Sequence, residues 1–160
     1  MGACSERPGT PPDKESVMGF VILVGVDGSE ASDRAVAYAC DQAKERGGQV
    51  VCAHVIPWSP YSFTTPEDNE ERLKQRNAEL KAAEEQVLAP AVEIVGDALP
   101  CSSAVKHGDR VDVLLEMAQE FDANQIIVGR TGENPLRRAL FATVPSRLVL
   151  LADVPVTVVP

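Results

Sequence analysis

Phe20-Val-Ile-Leu-Val-Gly-Val26 runs without a polar residue and stops at Asp27-Gly28-Ser29. An unbroken apolar run closed by turn formers fits a strand buried on both faces, because a half-exposed strand would alternate. Immediately after it the period changes. Ala35, Val36, Ala39, Cys40 and Ala43 recur at helical spacing, Ser29 stands where an N-cap is needed, and Gly47-Gly48 closes the segment. Gln49 to Val55 is a second apolar run. The order strand, helix, strand is a βαβ unit, whose crossover is right-handed almost without exception.

The same alternation continues downstream. Ile56 to Pro66 carries Pro57, Pro60 and Pro66 with Trp58, Tyr61 and Phe63, and reads as a loop, either packed on its own rings or lying as a lid over a ligand. Glu67 to Leu88 is densely charged with Leu73, Leu80, Val87 and Leu88 on one side, a long solvated helix that Pro90 either kinks or ends. Cys101 to Lys106 reads as a short third strand. His107-Gly108-Asp109-Arg110 reads as a turn, with Asp109 capping a helix whose apolar face is Val111, Leu114, Leu115, Ala118 and Phe121. Gln125 to Val128 is the fourth strand. Thr143 to Ala152 is a last helix with Pro145 in its first turn, where a missing N–H costs nothing, and Pro155 to Val159 is the fifth strand.

Strands alternating with helices predict an α/β fold with a mostly parallel sheet of five strands, covered on both faces. With a strand order of 3-2-1-4-5 the direction of winding reverses between strands one and four, and ligands in such sheets bind beyond the carboxyl ends at that point. The segments leaving those two strands are Asp27-Gly28-Ser29 and Gly129-Arg-Thr-Gly132.

The totals bound the partners. A chain of 160 residues buries a core without metals or disulfides, and its net charge of -9 with only 4% aromatic residues argues against a nucleic-acid binder. Any anion site must therefore be local. No apolar run approaches the ~20 residues of a membrane span, and a cytoplasmic protein with no membrane partner is expected. Residues 1–16 read as a flexible leader, with the folded domain at 17–160; Met1-Gly-Ala-Cys-Ser-Glu6 nearly spells a myristoylation signal, but Glu6 stands where Ser or Thr is wanted. Cys4, Cys40, Cys52 and Cys101 are too scattered for a CxxC pair, so reduced structural thiols are expected.

Two constellations carry chemistry. Gly129 and Gly132, with Arg130, Arg137 and Arg138, precede Thr143 at a helix start, and the glycines would let main-chain N–H groups approach a phosphate. The alternative is a simple turn with solvated arginines. Asp27, at the end of a central strand, suits a ribose hydroxyl or a cation, or else caps the next helix. His54 and His107 read as structural, and no catalytic or metal-binding set is indicated.

In this order and spacing, Ile22-Leu-Val-Gly-Val-Asp-Gly-Ser-Glu30, Ala53-His-Val-Ile56, His107-Gly-Asp109, Ile126-Ile-Val-Gly-Arg-Thr-Gly132 and Val154-Pro-Val-Thr-Val158 resemble a universal stress protein domain, from about Phe20 to Val159. The resemblance implies a Rossmann-like five-stranded parallel sheet of order 3-2-1-4-5, and a homodimer through the last strand. It also implies binding of ATP or another adenine nucleotide, AMP and cyclic AMP among them, with magnesium as an option. Asp27 would contact the ribose, with Gly25 and Val26 beside the adenosine and Val55 by the adenine. Gly129, Arg130, Gly132, Ala142, Thr143 and Val144 would surround the phosphates. The family pattern has glycine at the position of Ala142, the one departure. The implied role is a stress-response sensor or regulator with little or no turnover. The alternatives are an interaction protein without nucleotide and a slow ATPase.

Overall fold

Val21, Ile22, Leu23 and Val24 are each exposed by 1% or less, and the reason is their place in the sheet. In the computed structural model, which describes residues 19–58, 66–130 and 143–160, they form β1 (Val21–Gly25), the middle of five strands. The others are β2 (Gln49–Pro57), β3 (Cys101–Gly108), β4 (Gln125–Gly129) and β5 (Val156–Val159). The order is β3-β2-β1-β4-β5, and every neighbouring pair is parallel.

Helices cover both faces. The first is α1 (Glu30–Arg46), followed by α2 (Pro66–Ala83), α3 (Ala89–Val95), α4 (Arg110–Glu120) and α5 (Val144–Leu151). Ile22, Val24 and Val26 share one apolar layer with Ala35, Val36 and Ala39 of α1 and with Ala91 and Val95 of α3. Val21 and Leu23 point the other way, into a layer with Leu114 and Met117 of α4 and Leu148 of α5. Successive strand residues face opposite layers, so a strand covered twice can carry no polar residue. That is why Phe20 to Val26 reads as an unbroken run.

Local signals set the helix ends. Ser29 accepts from the Ser32 N–H and caps α1, while Gly47 closes it at φ 61°, a left-handed conformation that glycine adopts without strain. Asp109 caps α4 through the N–H groups of Val111 and Asp112. Thr143 caps α5, with Pro145 inside its first turn.

One open alternative is decided and two sequence expectations change. Pro90 does not end the long helix: a π turn over Glu84–Leu88 joins α2 to α3, and the Ala89 N–H bonds the Glu84 carbonyl five residues back. The ladder thus shifts register just before the residue that lacks an N–H. The third strand is longer than Cys101 to Lys106, because pairing with β2 continues through Ile56↔His107 and Pro57↔Gly108. His107 is therefore a strand residue and not part of a turn. The leader at 1–16 and most of the aromatic loop, at 59–65, lie outside the described residues.

Candidate functional site

The reversal of winding falls between β1 and β4, whose register pairs Gly25 with Val128. Continuing that register sets Val26 beside Gly129 and Asp27 beside Arg130. On the other flank Gly25 pairs with Ala53, which brings Val55 level with Asp27. Gly25, Val26, Asp27, Val55, Gly129 and Arg130 therefore share the carboxyl edge of three adjacent strands.

Asp27 is exposed. Its Oδ1 accepts from the Ser29 N–H at 3.1 Å and from the Ser29 hydroxyl at 2.5 Å. Ser29, not Asp27, is the cap of α1. The carboxylate steadies that cap with one oxygen, and among the described residues its Oδ2 has no partner, so a ligand hydroxyl or a cation can take it.

Gly129 has a packing reason of its own. A Cβ there would lie 2.7 Å from the Ala31 carbonyl carbon and oxygen, so the first turn of α1 rests directly on the end of β4. Gly25 is similar but softer, since its Cβ would meet Val128 Cγ1 at 3.0 Å and Leu114 Cδ1 at 3.4 Å. The Arg130 N–H donates to the Val159 carbonyl at 2.7 Å. That amide belongs to the sheet, which leaves the guanidinium as the part of Arg130 able to meet an anion.

Thr143 accepts from the Ser146 N–H at 3.4 Å, and its hydroxyl lies 3.1 Å from the Ser146 hydroxyl, which itself donates to the Thr143 carbonyl at 2.8 Å. Val144 is the first residue of α5. Arg130, Thr143 and Ser146 line a cavity of about 450 Å³ whose apolar wall includes Val149, Leu150 and Val158. A second cavity, of about 360 Å³, opens at the amino edge of the strands between Ala118, Ile126, Leu151 and the carboxylates Asp122 and Asp153. Two carboxylates and no cation on that wall disfavour a phosphate. Gly132 and Ala142, with Arg137 and Arg138, lie outside the described residues.

Among the described residues each histidine is engaged by a structural partner. His54 Nδ1 lies 2.7 Å from the Val26 carbonyl; a carbonyl only accepts, so Nδ1 carries the proton and the ring is structural. His107 Nε2 donates to Glu79 Oε2 at 2.9 Å, a partner twenty-eight residues away that no local pattern announced. This hydrogen bond holds the Glu79 carboxyl below its usual range. Arg147 of α5 touches both oxygens of Asp109 at 3.2 Å, and it is the main reason that the Asp109 carboxyl is held down. The cap of α4 is thereby tied to α5, one residue turn below Thr143. Sequence separation hid this pair as well.

The model of the universal stress protein family matches residues 20–160. The chain belongs to the universal stress protein family. A universal stress protein of Methanocaldococcus jannaschii is 29% identical over 139 residues, covering 86% of this chain and 80% of the relative. One from Mycolicibacterium smegmatis is 28% identical, and this chain spans 49% of its length. Thus the chain spans about half the length of the mycobacterial relatives it matches. Among solved structures, universal stress protein UspA of Lactobacillus plantarum shares the fold at TM-score 0.73 and 22% identity, over 88% of this chain and 97% of that one. The universal stress protein of Archaeoglobus fulgidus in complex with dAMP matches at TM-score 0.62 and 26% identity, over 88% and 98%. No helix among the described residues is long and apolar enough to cross a membrane.

Proposed function

We propose that this universal stress protein binds an adenine nucleotide, ATP foremost, in the crevice between β1 and β4. The observation that carries the reading is Asp27 Oδ2 just past β1 at the winding reversal, which has no partner among the described residues, with Arg130 just past the end of the neighbouring β4. In this reading Oδ2 accepts from a ribose hydroxyl, Gly25, Val26 and Val55 lie along the adenosine, and Arg130 meets the phosphates. Thr143 and Val144 contribute the start of α5, where the helix dipole favours an anion. Gly132 and Ala142 complete the phosphate segment by resemblance alone. The related fold seen with dAMP supports an adenine nucleotide as the ligand class. Magnesium, where it accompanies a triphosphate, would be held by phosphate oxygens, water and at most one or two carboxylates.

Both described histidines are engaged elsewhere, which favours a binder with little turnover, a sensor or regulator in the cytoplasm, over a slow ATPase. Dimerisation through β5 belongs to the same proposal. That strand is the sheet edge, and beside it α5 exposes Val149, Leu150 and Leu151 at 57%, 82% and 54%.

Native mass spectrometry of freshly purified protein, then calorimetric titration with ATP, ADP, AMP and cyclic AMP, tests the ligand. Bound nucleotide or measurable heat is expected, weakened about tenfold, about 1.4 kcal/mol, in Asp27→Ala. No bound nucleotide and no heat with any of the four would leave the interaction-protein reading in its place.

A further inference from the structure

Just short of the candidate site β1 and β2 part, and His54 stands in the gap. Their register ends at Gly25↔Ala53. The Val26 N–H adds one more rung, donating to the Ala53 carbonyl at 2.9 Å. The Val26 carbonyl is then taken by a side chain, accepting from His54 Nδ1–H at 2.7 Å. Strand alternation sets His54 on the same face as Val50 and Cys52, whose apolar layer also holds Val26. The half-buried ring therefore reaches that carbonyl from within the fold.

That carbonyl shares its peptide unit with the Asp27 N–H. A trans peptide is planar, and its C=O and N–H point opposite ways. Since β1 lies between β2 and β4, holding the oxygen toward β2 aims the Asp27 N–H toward the β4 flank, into the crevice. Among the described residues this N–H has no partner. Downstream, Asp27 Oδ1 accepts from the Ser29 N–H and hydroxyl, and Gly28 between them turns the chain at φ 79°, a conformation that glycine adopts without strain. Asp27 is thus held on both sides, by His54 through the preceding peptide and by Ser29 through one carboxylate oxygen. Among the described residues its N–H and Oδ2 stay uncommitted, a donor and an acceptor on one residue.

We propose that His54 is a positioning residue for the nucleotide, acting through the Val26–Asp27 peptide; the inference rests on the nucleotide reading of the crevice. A ribose hydroxyl both donates and accepts, so it can meet Oδ2 with its proton and the Asp27 N–H with its oxygen. The imidazole acts at one remove. It fixes the rotation of the peptide before the ligand arrives, and without that hydrogen bond binding itself must order the segment, at a cost in affinity.

Three substitutions separate the donor from the ring. An asparagine side chain places an N–H where Nδ1 stands, a glutamine places one farther out, where Nε2 stands, and a leucine places none. Calorimetry is run with whichever of ATP, ADP, AMP and cyclic AMP the wild type binds most tightly. His54→Gln and His54→Leu should weaken binding about tenfold or more, and His54→Asn should stay within about threefold of the wild type. In the ligand-free protein the Asp27 amide resonance should shift in His54→Gln and His54→Leu and return toward its wild-type position in His54→Asn, a rescue that loss of ring packing would not produce. Should His54→Leu fail to fold, His54→Gln carries the comparison, with circular dichroism verifying each fold. A wild type that binds none of the four nucleotides would remove the reading of the crevice and this role with it. Wild-type binding with affinity undiminished in a folded His54→Gln, equal loss in His54→Asn, or an Asp27 amide unmoved in His54→Gln would overturn the positioning role alone.

Discussion

Replacing Gly129 by alanine separates two explanations of the same glycine. If it serves only to clear room for a phosphate, the nucleotide-free protein should tolerate the methyl group and gain slightly from a stiffer unfolded chain. The packing against α1 says otherwise. The new Cβ would sit 2.7 Å from the carbonyl carbon and oxygen of Ala31 and 3.0 Å from its Cβ, where carbon atoms normally settle at about 3.5–4.0 Å. Those atoms are backbone, and the turn holding them is pinned by Ser29, which accepts from the Ser32 N–H through its hydroxyl and from the Asp33 N–H through its carbonyl. Relief requires lifting the first turn of α1 off β4. Overpacking costs about 1–3 kcal/mol, and a rigid obstacle argues for the upper end. An offset of about 0.5–1 kcal/mol from replacing glycine in a strand leaves a net loss of about 2 kcal/mol. For a chain of this size that is a fall of about 4–8 °C in Tm. Scanning calorimetry without nucleotide measures it. A Tm at or above that of the wild type would refute the packing account and return Gly129 to the ligand.

Other outcomes follow from single contacts. Asp109→Ala should lose about 1 kcal/mol with the cap of α4, whereas Asp109→Asn keeps an acceptor for Val111 and Asp112 and should lose only a few tenths, about 0.5 kcal/mol, through the half-exposed Arg147 pair; urea midpoints compare them. Glu79 has a lowered folded pKa, so its contribution is complete above the unfolded value of about 4.3 and is lost as pH falls through the folded one. Stability measured from pH 6 to pH 3 should therefore fall less steeply in Glu79→Gln than in the wild type, and identical slopes would remove the His107 contact from the account. Leu150→Asp, at 82% exposure, should leave the fold intact and shift the protein to monomer in light scattering, if β5 and α5 form the dimer face. An unchanged mass would exclude that face.

Much of the architecture was legible because its signals are local. The apolar run at Phe20–Val26, the caps at Ser29, Asp109 and Thr143, and the closing Gly47 each act within one turn or one strand, so the sequence displays them directly. Pro90 was ambiguous because a lost N–H can be answered by ending a helix or by shifting its ladder, and packing of Leu88, Ala91 and Val95 on the sheet selected the shift. The extent of β3 was set by its partner β2, not by its own composition.

For the candidate site, residue patterns brought out Asp27, Gly129, Arg130 and Thr143 at strand ends and a helix start, and the family resemblance added Gly25. It could not assign their atoms. Tertiary structure engaged one Asp27 oxygen and, among the described residues, left the other open, committed the Arg130 amide to β5, and gave Gly129 a role against Ala31. It alone joined His107 to Glu79 and Arg147 to Asp109. The physical reason is range: turn chemistry and periodicity are written over a few neighbouring residues, whereas these contacts exist only after the parallel crossovers bring distant segments side by side.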